Sequence, residues 1–229
     1  MPSSANRLII FAKYPEPGKV KTRLQPELSP EQSHQLYTAM AEDLTANLGR
    51  GKNFHTSIFF WPPQKNTEMA SWLAPLAVAP QAEGDLGAKM KDAFERAFRA
   101  GAARAIVIGS DLPDLGEEDI EVALEALDMA DLVLGPSDDG GFYLIALKKW
   151  HEGLFEGVFW STETVLSQTL ANARTLGLSN AQLPIRRDID TAAEIRHLAN
   201  QLQEKDPDLA GRIPRTAAVL SAWNGSKAP

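Results

Sequence analysis

Ala105-Ile106-Val107-Ile108-Gly109 runs directly into Ser110-Asp111-Leu112-Pro113. A short apolar, β-branched run closed by glycine suits a strand buried on both faces. Gly87–Ala100 precedes it as a strongly helical stretch, with Met90, Ala93, Phe94, Ala97 and Phe98 on one face and Gly101 as its C-cap. A second helix, Glu117–Leu127, follows with acidic residues in its first turn, where the helix dipole favours them. A buried strand between two helices is the unit of an α/β fold.

The same alternation extends outward. Arg7–Ala12 (RLIIFA) is another buried strand, and Ser29-Pro30-Glu31-Gln32 is a capping box opening a helix to about Leu48. Thr56–Phe60 and Leu76–Ala79 read as strands, with a short helix near Thr67–Leu73 between them. Leu132–Leu134 and Phe142–Leu147 are strands around a Gly/Asp-rich turn. Ser161–Leu176 reads as a capped helix, Leu183–Ile185 as a short strand and Thr191–Leu202 as a helix; Asn224–Pro229 reads as a frayed tail. The expected architecture is one α/β layered domain with a mostly parallel central sheet. Ligands of such sheets bind where loops leave the carboxyl ends of the strands.

Composition excludes several functions. The 229 residues carry 23 Lys+Arg against 30 Asp+Glu, a net charge of −7, and no cysteine. Thiol nucleophiles, thiolate metal sites and disulfides are therefore ruled out. The acidic balance argues against a general nucleic-acid surface. No run approaches the ~18 apolar residues of a membrane span, and the short run Leu8–Ala12 lacks the features of a signal peptide, so the expected location is the cytoplasm. The four histidines (His34, His55, His151, His197) are scattered and suggest no catalytic or metal pattern.

Three loops carry the chemistry. Lys13-Tyr14-Pro15-Glu16-Pro17-Gly18-Lys19-Val20-Lys21-Thr22-Arg23 has a local charge of +3, which leaves −10 for the rest of the chain. A basic Pro/Gly loop leaving a buried strand suits a polyphosphate, although it is neither a Walker A loop nor a GxGxxG loop. A solvated basic loop is the bland alternative. Asp111, at the end of its strand, is well placed to hold Mg²⁺ or Mn²⁺, since hard cations prefer oxygen; a turn-capping role fits it equally. Asp188-Ile189-Asp190-Thr191 puts two carboxylates on one side if extended, and Asp190 could instead be a plain N-cap. Gln81–Gly87 is a Gly-rich turn suited to a base or a phosphate, Gly135–Gly141 is a tight turn, and Trp160-Ser161-Thr162-Glu163 opens a helix with hydroxyls.

Taken in order, FAKYPEPGKVKTRL (Phe11–Leu24), GDLGAKM (Gly84–Met90), IGSDLPDL (Ile108–Leu115), GPSDDGGFYLIAL (Gly135–Leu147), WSTETV (Trp160–Val165) and DIDT (Asp188–Thr191) resemble the radical-SAM/selenodomain-associated transferase 1 family, an arsenosugar-biosynthesis-type glycosyltransferase group. The family is similar to the GT-A nucleotide-diphospho-sugar transferases and to nucleotidyltransferases, and the resemblance spans residues 7–204. It implies a GT-A Rossmann-like α/β/α sandwich with a mixed, mostly parallel central sheet, a nucleotide or nucleotide-sugar donor and a small-molecule acceptor. Lys13, Gly18, Lys19, Lys21, Thr22 and Arg23 would then form the phosphate loop, and Gly84, Leu86 and Gly87 the base-proximal turn. Asp111, Asp190 and Asp188 would hold the metal, with Asp139 in the acceptor signature. Lys21, Arg23, Asp111 and Asp139 are the candidate catalytic groups. Two departures stand out: the DxD of glycosyltransferases falls at 188–190 while the earlier site reads DLP, and Phe142 replaces a common tyrosine. A noncatalytic nucleotide-binding module is the rival reading, and a homodimer is left open.

Overall fold

The computed structural model describes residues 5–25, 27–203 and 207–224. Its centre is a seven-stranded sheet built from β1 (Asn6–Lys13), β2 (His55–Trp61), β3 (Ala77–Pro80), β4 (Arg104–Ile108), β5 (Leu132–Pro136), β6 (Phe142–Leu147) and β7 (Asn180–Gln182). The strand order is β3-β2-β1-β4-β6-β5-β7, with β6 antiparallel to both its neighbours and the other pairings parallel. This is the mixed, mostly parallel α/β sheet that the sequence predicts. The carboxyl ends of the parallel strands and the amino end of β6 therefore share one edge.

Alternating side chains of each strand feed two separate cores. Leu8, Ile10, Ile106 and Ile108 pack with α1 (Pro30–Leu48), α2 (Asn66–Trp72) and α4 (Glu117–Met129) on one face. Ile9, Val107, Ile145 and Leu147 pack with α3 (Leu86–Arg99) and α5 (Val165–Thr175) on the other. Met90, Ala93, Phe94 and Ala97 are buried along α3 as its periodicity requires. Burying Phe94 alone stabilises the fold by roughly 2–3 kcal/mol. A third cluster joins Leu24, Leu36 and Met40 to Ile189, Leu198, Ile213 and Leu220. It docks α6 (Ala192–Gln203), α7 (Pro207–Arg212) and α8 (Pro214–Asn224) against α1.

Local signals hold where they are chemically explicit. The Ser29 hydroxyl accepts from the Gln32 amide at 3.1 Å, and the Gln32 side chain accepts from the Ser29 amide at 2.8 Å, completing the capping box. Four expectations shift. The helix expected from Ser161 begins at Val165, because residues 161–164 form turns with Ser161 at φ 64°. The strand expected at Leu183–Ile185 lies at Asn180–Gln182, where it pairs with Leu132–Leu134. Ala100 rather than Gly101 caps α3, and Gly101 follows it at φ 86°. Asn224 ends α8 instead of opening a tail, and residues 225–229 lie outside the described residues. Among the described residues no helix is long and apolar enough to cross a membrane.

Candidate functional site

A cleft of about 470 Å³ opens along the shared strand edge. Lys13, Lys21, Thr22, Arg23, Leu86, Asp111, Asp139, Asp188 and Asp190 all line it. Residues as far apart in the chain as Lys13 and Asp190 are thus brought together by the sheet topology.

Lys21 is the hub. Its side chain is 3% exposed, and its ammonium lies 2.5 Å from Asp111 Oδ1 and 2.8 Å from Asp190 Oδ1. It also donates to the Ile189 carbonyl. Lys21 sits at φ 48°, ψ 43°, the left-handed region. That conformation costs a non-glycine residue about 1–2 kcal/mol, and the ion pairs offset it. Burial alone would lower the Lys21 pKa, but Asp111 and Asp190 outweigh it and hold the ammonium charged. Burial would raise the pKa of Asp190, but Lys21, joined by Arg23 and Lys13, outweighs it and lowers that carboxyl's pKa. The Ile189 amide donates to the Asp111 carbonyl at 3.1 Å, so main chain as well as charge ties the two acidic segments together.

Asp188 differs from its neighbours. Burial, followed by repulsion from Asp111 and Asp190, pushes its pKa up to about 7. Three carboxylates here outnumber the two cations in contact with them, Lys21 and, at 3.5 Å from Asp190, Arg23. An all-oxygen donor set with surplus negative charge fits a hard divalent cation such as Mg²⁺. Among the described residues no three His, Asp or Glu side chains converge on one metal position. Mg²⁺ characteristically binds through one or two carboxylates plus substrate phosphates and water, which is compatible with that arrangement.

The remaining predicted residues divide between cleft and rim. Lys19 is 71% exposed and pairs with Glu16 at 3.0 Å, and neither it nor Gly18 lines the cleft. Gly84, at φ 109°, and Gly87 also stand outside the lining. Gly87 matters through close approach: a Cβ there would fall 2.5 Å from Trp160 Nε1. Asp139 Oδ1 accepts from the Ser137 hydroxyl at 2.6 Å and the Gly141 amide at 2.9 Å, closing the β5–β6 turn.

Three contributors escape the sequence reading. Tyr37, buried on α1, accepts from the Lys13 amide at 2.7 Å and lies 3.1 Å from the Ser110 hydroxyl, bracing both loops. Burial pushes its phenol pKa up to about 12. Lys89 lies 4.8 Å from the centre of the Trp61 ring, and burial, reinforced by Lys13, lowers its pKa. Its one sequence signal is a cation just inside the amino end of α3, where the dipole disfavours it. Trp61 itself, at the end of β2, gives no local sign of its place.

The fold and this edge cleft define a GT-A-like α/β transferase. A crystal structure from Desulfovibrio desulfuricans G20, provisionally described as a nucleotide-diphospho-sugar transferase, superposes with a TM-score of 0.89 at 32% identity. The match covers 97% of this chain and 96% of that one. The chain belongs to the family described as "Uncharacterized protein conserved in bacteria (DUF2064)", whose model matches residues 44–162. It is also 30% identical to 2-phospho-L-lactate guanylyltransferase from Methanothermobacter thermautotrophicus, over 56% of each chain. Phosphoenolpyruvate guanylyltransferase from Sphaerobacter thermophilus is 24% identical over 78% of this chain and 86% of its own length.

Proposed function

We propose that the protein is a Mg²⁺-dependent transferase that takes a nucleotide donor and modifies a small-molecule acceptor. One observation carries the reading: Lys21 joins Asp111 to Asp190 at the floor of a cleft also lined by Lys13, Arg23 and Lys89. Cations beside clustered carboxylates suit a phosphate chain together with its divalent ion. The two guanylyltransferase relatives favour nucleotidyl transfer. In that reaction an acceptor oxygen attacks the α-phosphorus, the bond to the bridging oxygen breaks, and pyrophosphate leaves with the bonding pair.

The chain's own groups have distinct tasks. Lys13, Arg23 and Lys89 offset the charge that accumulates on the leaving group. Lys21 holds Asp111 and Asp190 in place. Asp139 is placed to take the acceptor's proton on Oδ2, because both of its hydrogen bonds fall on Oδ1. Mg²⁺ held by Asp111 and Asp190, with Asp188 close by, would supply Lewis-acid stabilisation of phosphate charge.

The Desulfovibrio structure favours a second reading, glycosyl transfer from a nucleotide-sugar. There the acceptor hydroxyl attacks the anomeric carbon and nucleoside diphosphate leaves. On its motifs we place the chain in the radical-SAM-associated transferase 1 group, which this reading suits. Product analysis separates the two: pyrophosphate from a nucleoside triphosphate, or nucleoside diphosphate from a nucleotide-sugar. A thermal-shift screen of both donor types with and without Mg²⁺ tests the shared premise. Failure of every donor to stabilise the protein would refute it, whereas stabilisation without turnover would favour the noncatalytic module.

A further inference from the structure

The charges of the cleft are sorted by element. Its cations come from the end of β1 (Lys13), the loop after it (Lys21, Arg23) and α3 (Lys89). Its carboxylates come from the loop after β4 (Asp111), the β5–β6 turn (Asp139) and the segment before α6 (Asp188, Asp190). Lys13 and Lys89 stand beside Trp61 at the ends of β1 and β2. The sheet order places β6 three strands from β2, which is about 14 Å at ~4.8 Å per strand. The cationic end and the Asp139 turn therefore contact different parts of a bound pair of substrates.

The β5–β6 half lacks an available cation. Lys21 is committed to Asp111 and Asp190, and Arg23 reaches only Asp190, at 3.5 Å, while among the described residues neither Asp139 nor Asp188 has an ion-pair partner. The nearby arginines are also committed. Arg186 pairs with Asp114 and Asp119, and Arg187 pairs with Asp138. Apolar surface occupies the space instead: Phe142, Trp160 and Val165 line this half. Trp160 is fixed edge-on by Phe142 at 6.5 Å and Phe155 at 5.6 Å, with Gly87 against its indole nitrogen. Beside it Phe159 is 68% exposed.

We infer that this half of the cleft takes an uncharged acceptor, a hydroxyl-bearing molecule whose apolar body lies on Trp160 and Phe142, rather than a phosphorylated acid. The inference rests on the donor reading above, which assigns the cationic half to the nucleotide. Phospholactate or phosphoenolpyruvate, the molecules that name the two guanylyltransferases, would meet Asp139 with no side-chain cation paired to it among the described residues. Each facing like charge weakens such binding by about fivefold even at the dielectric of water. An aromatic wall, by contrast, favours an apolar ring or chain through burial.

The test is calorimetric binding to the full chain with Mg²⁺ present, with and without the nucleotide that stabilises it best. Phenyl β-D-glucopyranoside and phosphoenolpyruvate are the probes. The glucoside should bind at least about tenfold more tightly, and Trp160→Leu should weaken it about tenfold while leaving phosphoenolpyruvate unchanged. Asp139→Asn keeps the oxygen that accepts from Ser137 and Gly141 but removes the charge. It should strengthen phosphoenolpyruvate about fivefold and move the glucoside less than twofold. Equal or tighter binding of phosphoenolpyruvate to the unaltered protein would overturn the inference, as would binding of neither probe or indifference of phosphoenolpyruvate to Asp139→Asn. A chain that binds the glucoside but no nucleotide would instead overturn the donor reading.

Discussion

Two carboxylates in different regions show how the fold treats negative charge. Asp43, in the middle of α1, is fully buried and fully answered. It accepts from the Arg215 amide at 3.1 Å and the Thr216 amide at 2.8 Å, and the Arg215 guanidinium lies 3.4 Å away. It thereby caps α8 and fastens the C-terminal helices to the sandwich. Asp188, half-buried at the cleft, has Asp111 and Asp190 for neighbours and a share in a single ammonium. Where charge is structural, donors converge on it. At the cleft, negative charge is left in excess, a state that a cation or substrate can relieve.

That contrast can be broken by substitution. The largest effect is expected for Asp43→Ala, which leaves the buried Thr216 amide and the part-buried Arg215 amide without their acceptor, while the Arg215 guanidinium keeps Glu42. It should destabilise the fold by about 3 kcal/mol, lowering the melting temperature by roughly 6–12 °C, as read by calorimetry. A change of under about 1 kcal/mol would show that the α1–α8 junction does not depend on this carboxylate. Lys21→Met should follow, costing about 1–2 kcal/mol because its partners are partly exposed. The same variant should weaken nucleotide binding at least tenfold, and Mg²⁺ should recover part of the lost stability.

Asp188→Asn should act with the opposite sign. Removing one of three crowded carboxylates should stabilise the free protein by about 1 kcal/mol while reducing the Mg²⁺-dependent part of donor affinity. Destabilisation in chemical denaturation would place Asp188 with Asp43 as a structural group. The smallest effect belongs to Lys19→Ala. Exposed and paired only with Glu16 among the described residues, it should change stability by less than about 0.5 kcal/mol and donor affinity by less than twofold in titration. A tenfold loss would show that the loop closes over the ligand and brings Lys19 inward.

Lys19 and Lys21 also show where reading the sequence stops. Their loop is legible as basic, and the Gly18–Arg23 stretch as a phosphate candidate, from composition alone. Which lysine turns inward is set by Asp190, 169 positions away, and no local pattern encodes that distance. The β4 run and the capping box at Ser29 were readable because burial on both faces and cap hydrogen bonds are short-range constraints. Residues 161–164 misled because hydroxyls that suggest a cap here satisfy turns: the Thr162 hydroxyl donates to the Phe159 carbonyl at 2.7 Å. Tyr37 and Lys89 were silent for a related reason. Each looks like an ordinary helix residue until a loop from another strand is laid against it.

The sequence by itself determined the alternating strands and helices, the exclusion of any thiolate metal site, and the candidate loops. These follow from periodicity, capping chemistry and the absence of cysteine. Only the tertiary structure decided that Lys21 neutralises Asp111 and Asp190, that Asp188 has no ion-pair partner among the described residues, and that Lys13 and Lys89 stand at the β1–β2 end of the cleft while Asp139 stands at the β5–β6 turn. Coulomb energy depends on separation and burial, and the sheet order β2-β1-β4-β6 sets both for residues that are far apart in the chain.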